Sequence, residues 1–116
     1  MNKLHASLPL MVESQIRMSV HRYRLELTEP AIADFRDILS FTLQIWGELQ
    51  FSEYKRKIDG ALIIVAENPY AGCKKHGLLV FQIGRHQIFY RLQGDVVYIL
   101  RILHDRMDVV RHLPEN

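Results

Sequence analysis

Cysteine is almost missing from this chain: Cys73 is the only one in 116 residues. A lone thiol closes no intramolecular disulfide, and neither C-x-x-C nor a paired-histidine spacing offers ligands to a metal. Stability must therefore come from a packed core, and a reducing, cytoplasmic setting is expected, with no metal and no cofactor. Cys73 itself reads as a partly buried or loop thiol rather than a nucleophile. The common enzyme signatures are absent too: there is no G-x-S-x-G elbow and no glycine loop for phosphate. Charge of one sign is not in excess, the formal net charge being +2. Nor is there an apolar run that would span a bilayer. Near the start Lys3 is the only early cation, Pro9 interrupts the short apolar patch and Glu13 closes it, so neither a secretory segment nor a membrane partner is expected.

What is present is ordinary apolar content, 48% of the residues, enough for one core in one domain. Residues 1–20 read as an extension, either a disordered tail or an over-long start, since Met11 and Met18 offer later ones. A single domain is expected over residues 21–113, with 114–116 as a tail. The small net charge hides an asymmetry. Residues 1–70 hold eight Lys/Arg against nine Asp/Glu, whereas 71–116 hold seven against four and four of the six histidines. That bias permits an acidic protein partner or a polyanion without specifying either.

The stretch from Phe81 to Asp108 organises the rest. Gln87 to Leu92 and Val96 to Leu103 are rich in β-branched and aromatic residues and are joined by Gly94-Asp95, a pair suited to a two-residue hairpin. Val96 to Leu103 is apolar on both alternating faces except at Arg101, which predicts a strand covered on both sides, or covered on one and used for contact on the other. Upstream, Tyr23 to Thr28 alternates as a half-buried strand. Thr28 or Glu29 can cap a helix that carries Pro30 in its first turn and stops at Gly47. A second helix follows at once and ends at Asn68-Pro69. With Gly47 as nearly the only connector, the two must fold back as an antiparallel hairpin, and their apolar stripes, Trp46 included, read as core. Gly60 inside the second helix costs about 1 kcal/mol relative to alanine, which points to a close helix approach there. Lys55-Arg56-Lys57 reads as a solvated face. Tyr70 to Gly77 reads as a loop, Leu79 to Ile83 as a strand turned by Gly84-Arg85, and Val109 to Asn116 as a short helical or extended end. The order is β-α-α-β-β-β, an α+β fold with a helical hairpin on a mainly antiparallel sheet.

The residues left to carry function are basic and imidazole side chains around the C-terminal sheet: Arg85, His86, Arg91, Arg101, His104 and Arg106. Strict alternation places Arg101 on the face of Val97, Ile99 and Leu103, and His104 on the face of Tyr98, Leu100 and Ile102. A strand arginine keeps its charge and must find a carboxylate, carbonyls, solvent or a partner. Asp95, Asp105 and Asp108 are the internal candidates, and contact with a partner is the alternative.

In this order, YRLELTEPA at the first strand, NPYAG after the second helix, and IGRHQIFYR followed by VVYILRILHDRMDVVRHL resemble ParE-type toxins of the RelE/ParE superfamily. The likeness covers Tyr23 to about Leu113. It implies a curved antiparallel sheet backed by a helical hairpin, and a type II toxin-antitoxin module in which a ParD-like antitoxin wraps and blocks the toxin. It further implies that operator DNA is bound only through the antitoxin, and that the target is DNA gyrase, inhibited by binding with no catalytic residue. On this reading Arg85, Arg91, Arg101, His104 and Arg106 meet partners, and the antitoxin lies between helices and sheet. The alternative within the superfamily is a ribosome-dependent mRNA endonuclease of RelE type, with His104, Arg85 and Arg101 as its reduced site. Against it, His104-Asp105-Arg106 lacks the tyrosine several nuclease relatives place there. Leu79 also stands where many members of both branches carry arginine, which the nuclease would need as a phosphate cation.

Overall fold

The computed structural model describes residues 23–114. The extension expected over residues 1–20 and the last two residues of the tail lie outside them. In chain order the elements are β1 (Arg24–Leu27), α1 (Glu29–Trp46), α2 (Glu48–Glu67), a 3-10 turn (Pro69–Ala71), β2 (Cys73–Lys75), β3 (Leu78–Ile83), β4 (His86–Gln93), β5 (Val96–His104) and α3 (Val109–His112). The sheet order is β1-β5-β4-β3-β2, with β1 parallel to β5 and every other pairing antiparallel. This is the expected α+β layout with one strand more. β2 falls where a loop was predicted, because its residues are all exposed and carry no alternation. Lysine on a short edge strand is a common guard against edge-to-edge pairing. The hairpin turn before β3 has φ of 54° at His76 and 77° at Gly77, the pattern of a two-residue type I′ loop.

Local chemistry sets the boundaries. Thr28 caps α1 by accepting the Ala31 N–H at 3.2 Å, and its hydroxyl also donates to the Leu100 carbonyl at 3.0 Å, so one side chain fixes the helix start against β5. Gly47 ends α1 and begins α2 at φ 92°, a value that favours glycine, with its N–H on Leu43 O and its own carbonyl accepting from Phe51. Asn68 stops α2 and accepts the Tyr70 N–H. The NPYAG segment then wraps a buried hydroxyl: Tyr90 donates to Pro69 O at 2.6 Å and accepts from the Gly72 N–H at 3.0 Å. A Cβ on Gly72 would meet that hydroxyl and sit 2.7 Å from Val80 O, so glycine is required there by close approach.

Two clusters make the core, one on each face of the sheet. Phe35, Ile58, Leu62 and Val65 of the helices bury against Ile88, Tyr90, Val97, Ile99 and Ile102. On the other face Leu78, Val80, Phe89 and Leu103 are covered by Leu100, Val109 and Leu113, so the C-terminal segment roofs this side. Each fully buried aliphatic or aromatic side chain contributes about 1.5–3 kcal/mol. β5 is thus covered on both faces, one of the two outcomes predicted for it. Three expectations fail. Gly60 has open space around its Cβ position, so no helix approaches closely there. Trp46 is not core but 65% exposed, because α1 runs past the end of the sheet. The third failure is in β5: Tyr90 pairs with Ile99 while Phe89 pairs with Arg101, leaving Leu100 as an extra residue. That bulge resets the alternation. Arg101 keeps the face of Leu103 but leaves that of Val97 and Ile99, while His104 joins Val97, Ile99 and Ile102 on the helix face.

Candidate partner-binding site

Where α1 and α2 overrun the sheet, a groove of about 830 Å³ opens between them, the β3–β4 turn and the end of β5. Its apolar surface comes from Ile38, Phe41, Trp46 and Met107. Phe41 and Trp46 are 60% and 65% exposed, far more than large side chains in a core would be. The helical walls add Asp37, Glu53 and Lys57, and the sheet side adds Arg85, His86 and His104. The groove is therefore apolar at its middle and charged at its edges.

The sequence-predicted residues divide around it. Arg85 sits in the β3–β4 turn, largely exposed, with Asp105 at 3.8 Å. His104 ends β5, and its Nδ1 accepts the Arg106 N–H at 3.0 Å. The Asp105 carboxylate lies 3.2 Å from the same nitrogen. With Nδ1 already accepting, neutral His104 carries its proton on Nε2, and the Asp105 contact becomes an ion pair only when the ring is protonated. Arg106 is exposed and takes part through its backbone. Arg91 pairs with Tyr98 in register, on the sheet face away from the helices. Arg85 and His104 thus line the groove, whereas Arg91, Arg101 and Arg106 do not.

Arg101 finds an internal carboxylate, and it is none of the three predicted. Asp34 of α1 receives Nε at 2.7 Å and Nη2 at 2.8 Å, a bidentate pair, while Nη1 donates to the His112 carbonyl of α3 at 3.0 Å. Asp34 also accepts the Ile102 N–H at 2.9 Å. β1 pairs with β5 only as far as Ile99, so the carboxylate satisfies a strand edge that would otherwise lack a partner. The Asp34 hydrogen bond raises the guanidinium's already high pKa further, against burial. One arginine thereby fastens α1, β5 and α3 together. No spacing in the sequence points to Asp34, since its approach depends on the bulge at Leu100 and the shortness of β1.

Residues overlooked in the sequence are Tyr54 and the groove aromatics. Tyr54 donates its hydroxyl to Ile83 O at 3.1 Å and lies 2.6 Å from His86 Nδ1. With the phenol proton on Ile83, His86 donates Nδ1–H to the phenol oxygen. Burial raises the Tyr54 pKa, so the phenol stays neutral. Burial, then the neighbouring His104, lowers the His86 pKa, with Asp105 opposing. The two imidazoles pack edge to face with centroids 5.1 Å apart. Alternation with Ile88 and Tyr90, together with a two-residue hairpin, was the signal that could have placed His86 on this face.

The sequence profile of the ParE toxin of type II toxin-antitoxin system, parDE, matches residues 25–109. This chain belongs to that ParE toxin family. It is similar to Toxin ParE1 of Mycobacterium tuberculosis, 35% identical over 95 residues that cover 78% of this chain and 97% of the relative. Toxin ParE1 of Caulobacter vibrioides is 34% identical over 91 residues, covering 75% and 94%. Toxin ParE of Escherichia coli is 29% identical over 95 residues, covering 78% and 92%. Among solved structures, a chain of the chromosomal ParDE TA system from P. aeruginosa superposes with a TM-score of 0.62 at 19% identity, over 73% of this chain and 98% of that one. That likeness is one of fold. For a ParE family member the Leu79 position is notable: the side chain is half-buried and packs on the helix-side core. No helix among the described residues is long and apolar enough to cross a membrane.

Proposed function

We propose that this ParE-family toxin acts in the cytoplasm by binding DNA gyrase and halting its cleavage cycle, and that a ParD-like antitoxin neutralises it by laying an amphipathic segment in the groove between helices and sheet. Operator DNA is contacted through the antitoxin alone. The observation that carries binding over bond-breaking is the engagement of Arg101. All three nitrogens of its guanidinium are committed to Asp34 and the His112 carbonyl. A nuclease built on His104, Arg85 and Arg101 would have to bring them to one phosphate, yet Arg101 and His104 stand on opposite faces of β5. With Leu79 in place of a cation, little remains to balance charge building up on phosphate oxygens. Phe41 and Trp46, by contrast, are large apolar groups on open surface of the kind that anchor protein partners. Arg85 and His104 are proposed to meet those partners directly, Arg91 and Arg106 to add contacts outside the groove, and Arg101 to serve partner binding by fixing the surface.

The test is induction without antitoxin, following DNA and protein synthesis separately. Gyrase inhibition predicts a DNA-damage response and filamentation while translation continues, and purified protein should stabilise cleaved DNA with gyrase. Immediate translation arrest with mRNA cut on ribosomes would replace this reading by the nuclease one.

A further inference from the structure

His86 and His104 face each other at the ends of β4 and β5, where they are register partners. Each has one ring nitrogen already spoken for. His86 gives Nδ1–H to the Tyr54 hydroxyl oxygen, and His104 accepts the Arg106 N–H at Nδ1. The tautomers are thereby set. The neutral pair presents one acceptor, Nε2 of His86, and one donor, Nε2–H of His104, and neither atom has a hydrogen-bond partner among the described residues. Adding a single proton turns the pair into two donors on the wall of an open groove. Two convergent donors match the two oxygens of a carboxylate.

We propose that the His86–His104 pair is the seat for a carboxylate side chain of the antitoxin segment that fills the groove, and that seating it takes up one proton. The inference rests on the groove being the antitoxin site. Charge complementarity selects this occupant. Lys57 and Arg85 flank the seat, so a carboxylate is attracted there, while Asp37 and Glu53 on the helical wall repel one and steer it to the sheet side. Asp34 is neutralised by Arg101. Asp105, the remaining acid beside the imidazoles, is drawn toward Arg85. Apolar residues of the same segment would cover Phe41, Trp46 and Met107. In the free protein burial and the mutual proximity of the rings disfavour the charged form of His86. A bound carboxylate favours it, so the bound pKa lies above the free one. Affinity then rises as pH falls through the bound pKa and levels off below the free pKa.

The experiment uses the full chain and the ribbon-helix-helix antitoxin encoded beside it. Calorimetric titrations near pH 7 in two buffers of different ionisation enthalpy read proton uptake, and titrations between pH 8 and pH 6 read affinity. Expected are uptake approaching one proton and an affinity that tightens by up to about tenfold per pH unit where the slope is steepest. His86→Gln and His104→Gln keep a hydrogen-bonding side chain without a titration, and each should remove the uptake and flatten the pH profile. Trp46, the chain's single tryptophan, reports by fluorescence that the variants keep the groove. Tight binding with no proton uptake would overturn the seat while leaving the groove reading standing. A pH slope that survives in the double glutamine variant would overturn it as well, placing the titrating group elsewhere. If instead Trp46→Ala and Phe41→Ala leave affinity unchanged at every pH, the groove reading falls and the seat with it.

Discussion

Tyr90 and Tyr54 solve one problem in two ways. Both are tyrosines whose hydroxyl donates to a backbone carbonyl, Pro69 O in one case and Ile83 O in the other. Tyr90 is fully buried and takes its second bond from the Gly72 N–H, so the site closes on itself. Tyr54 takes its second bond from an imidazole that borders open solvent. A satisfied hydroxyl under a turn locks the fold, whereas a satisfied hydroxyl at a groove orients another titratable ring. The same division separates Arg101 from Arg85: one is fastened from three directions, the other is loosely paired and largely exposed. Side chains of the same type are therefore structural in one region and available for recognition in the other.

The largest test of that division lies in the two arginines. Arg101→Ala strands Asp34 against the edge of β5 and frees the His112 carbonyl. The expected loss is about 3 kcal/mol, below the upper values for fully buried pairs because the guanidinium keeps some solvent contact. Arg85→Ala should stay within about 0.5 kcal/mol of the parent in the same urea titration. Equal losses in the two variants would erase the distinction.

Next in size is Tyr90→Phe, which leaves the Pro69 carbonyl and the Gly72 N–H buried without their partner, at a cost of about 2 kcal/mol. It should also change the alkaline limb of stability. Burial raises the Tyr90 pKa, so the unfolded chain ionises first and stability falls as pH rises past the ordinary tyrosine value of 10.0. Removing the phenol should shallow that fall, as seen in unfolding at pH 9 and pH 11.

Gly60→Ala works in the opposite direction. With open space at its Cβ and an ordinary helical backbone, alanine should stabilise α2 by about 0.5–1 kcal/mol without touching the groove. A destabilised variant would mean that the position carries a contact its surroundings do not reveal.

These cases also mark what sequence can reveal. Thr28, Pro30, Gly47 and Asn68 carry local chemistry, so the helices and their antiparallel return are legible from the chain alone. The hairpins at Gly84 and Gly94 are legible for the same reason. Leu100 is not, because a bulge depends on how β4 and β5 share their register, and nothing in an unbroken apolar run marks it. Once that one residue is inserted, Arg101 turns to Asp34 and His104 comes round beside His86. The misplacement of Trp46 has a different cause: an apolar stripe at helical spacing says which face is hydrophobic but not where the sheet beneath it ends. Part of the candidate site, Arg85 and His104, was therefore readable from residue type, while its depth and its neighbours depended on two features of tertiary structure.

The smallest expected effect sets the two states of the groove against each other. In the free protein the folded-state pKa of His86 is lowered below 6.5 by burial and by His104. As pH falls through 6.5 the unfolded chain binds its proton first, so stability declines and then levels once the folded form is protonated too. Above that window His86 contributes no slope. The antitoxin complex should respond with the opposite sign, tightening over the same interval if a carboxylate sits between the imidazoles. Thermal unfolding of the free toxin and titration of the complex, each followed from pH 7.5 to pH 5.5, should give slopes of opposite direction. His86→Gln should flatten the first, and the two glutamine variants the second. Two slopes of the same sign would mean that partner binding merely repays the stability lost on acidification, and that the open tyrosine is as structural as the sealed one.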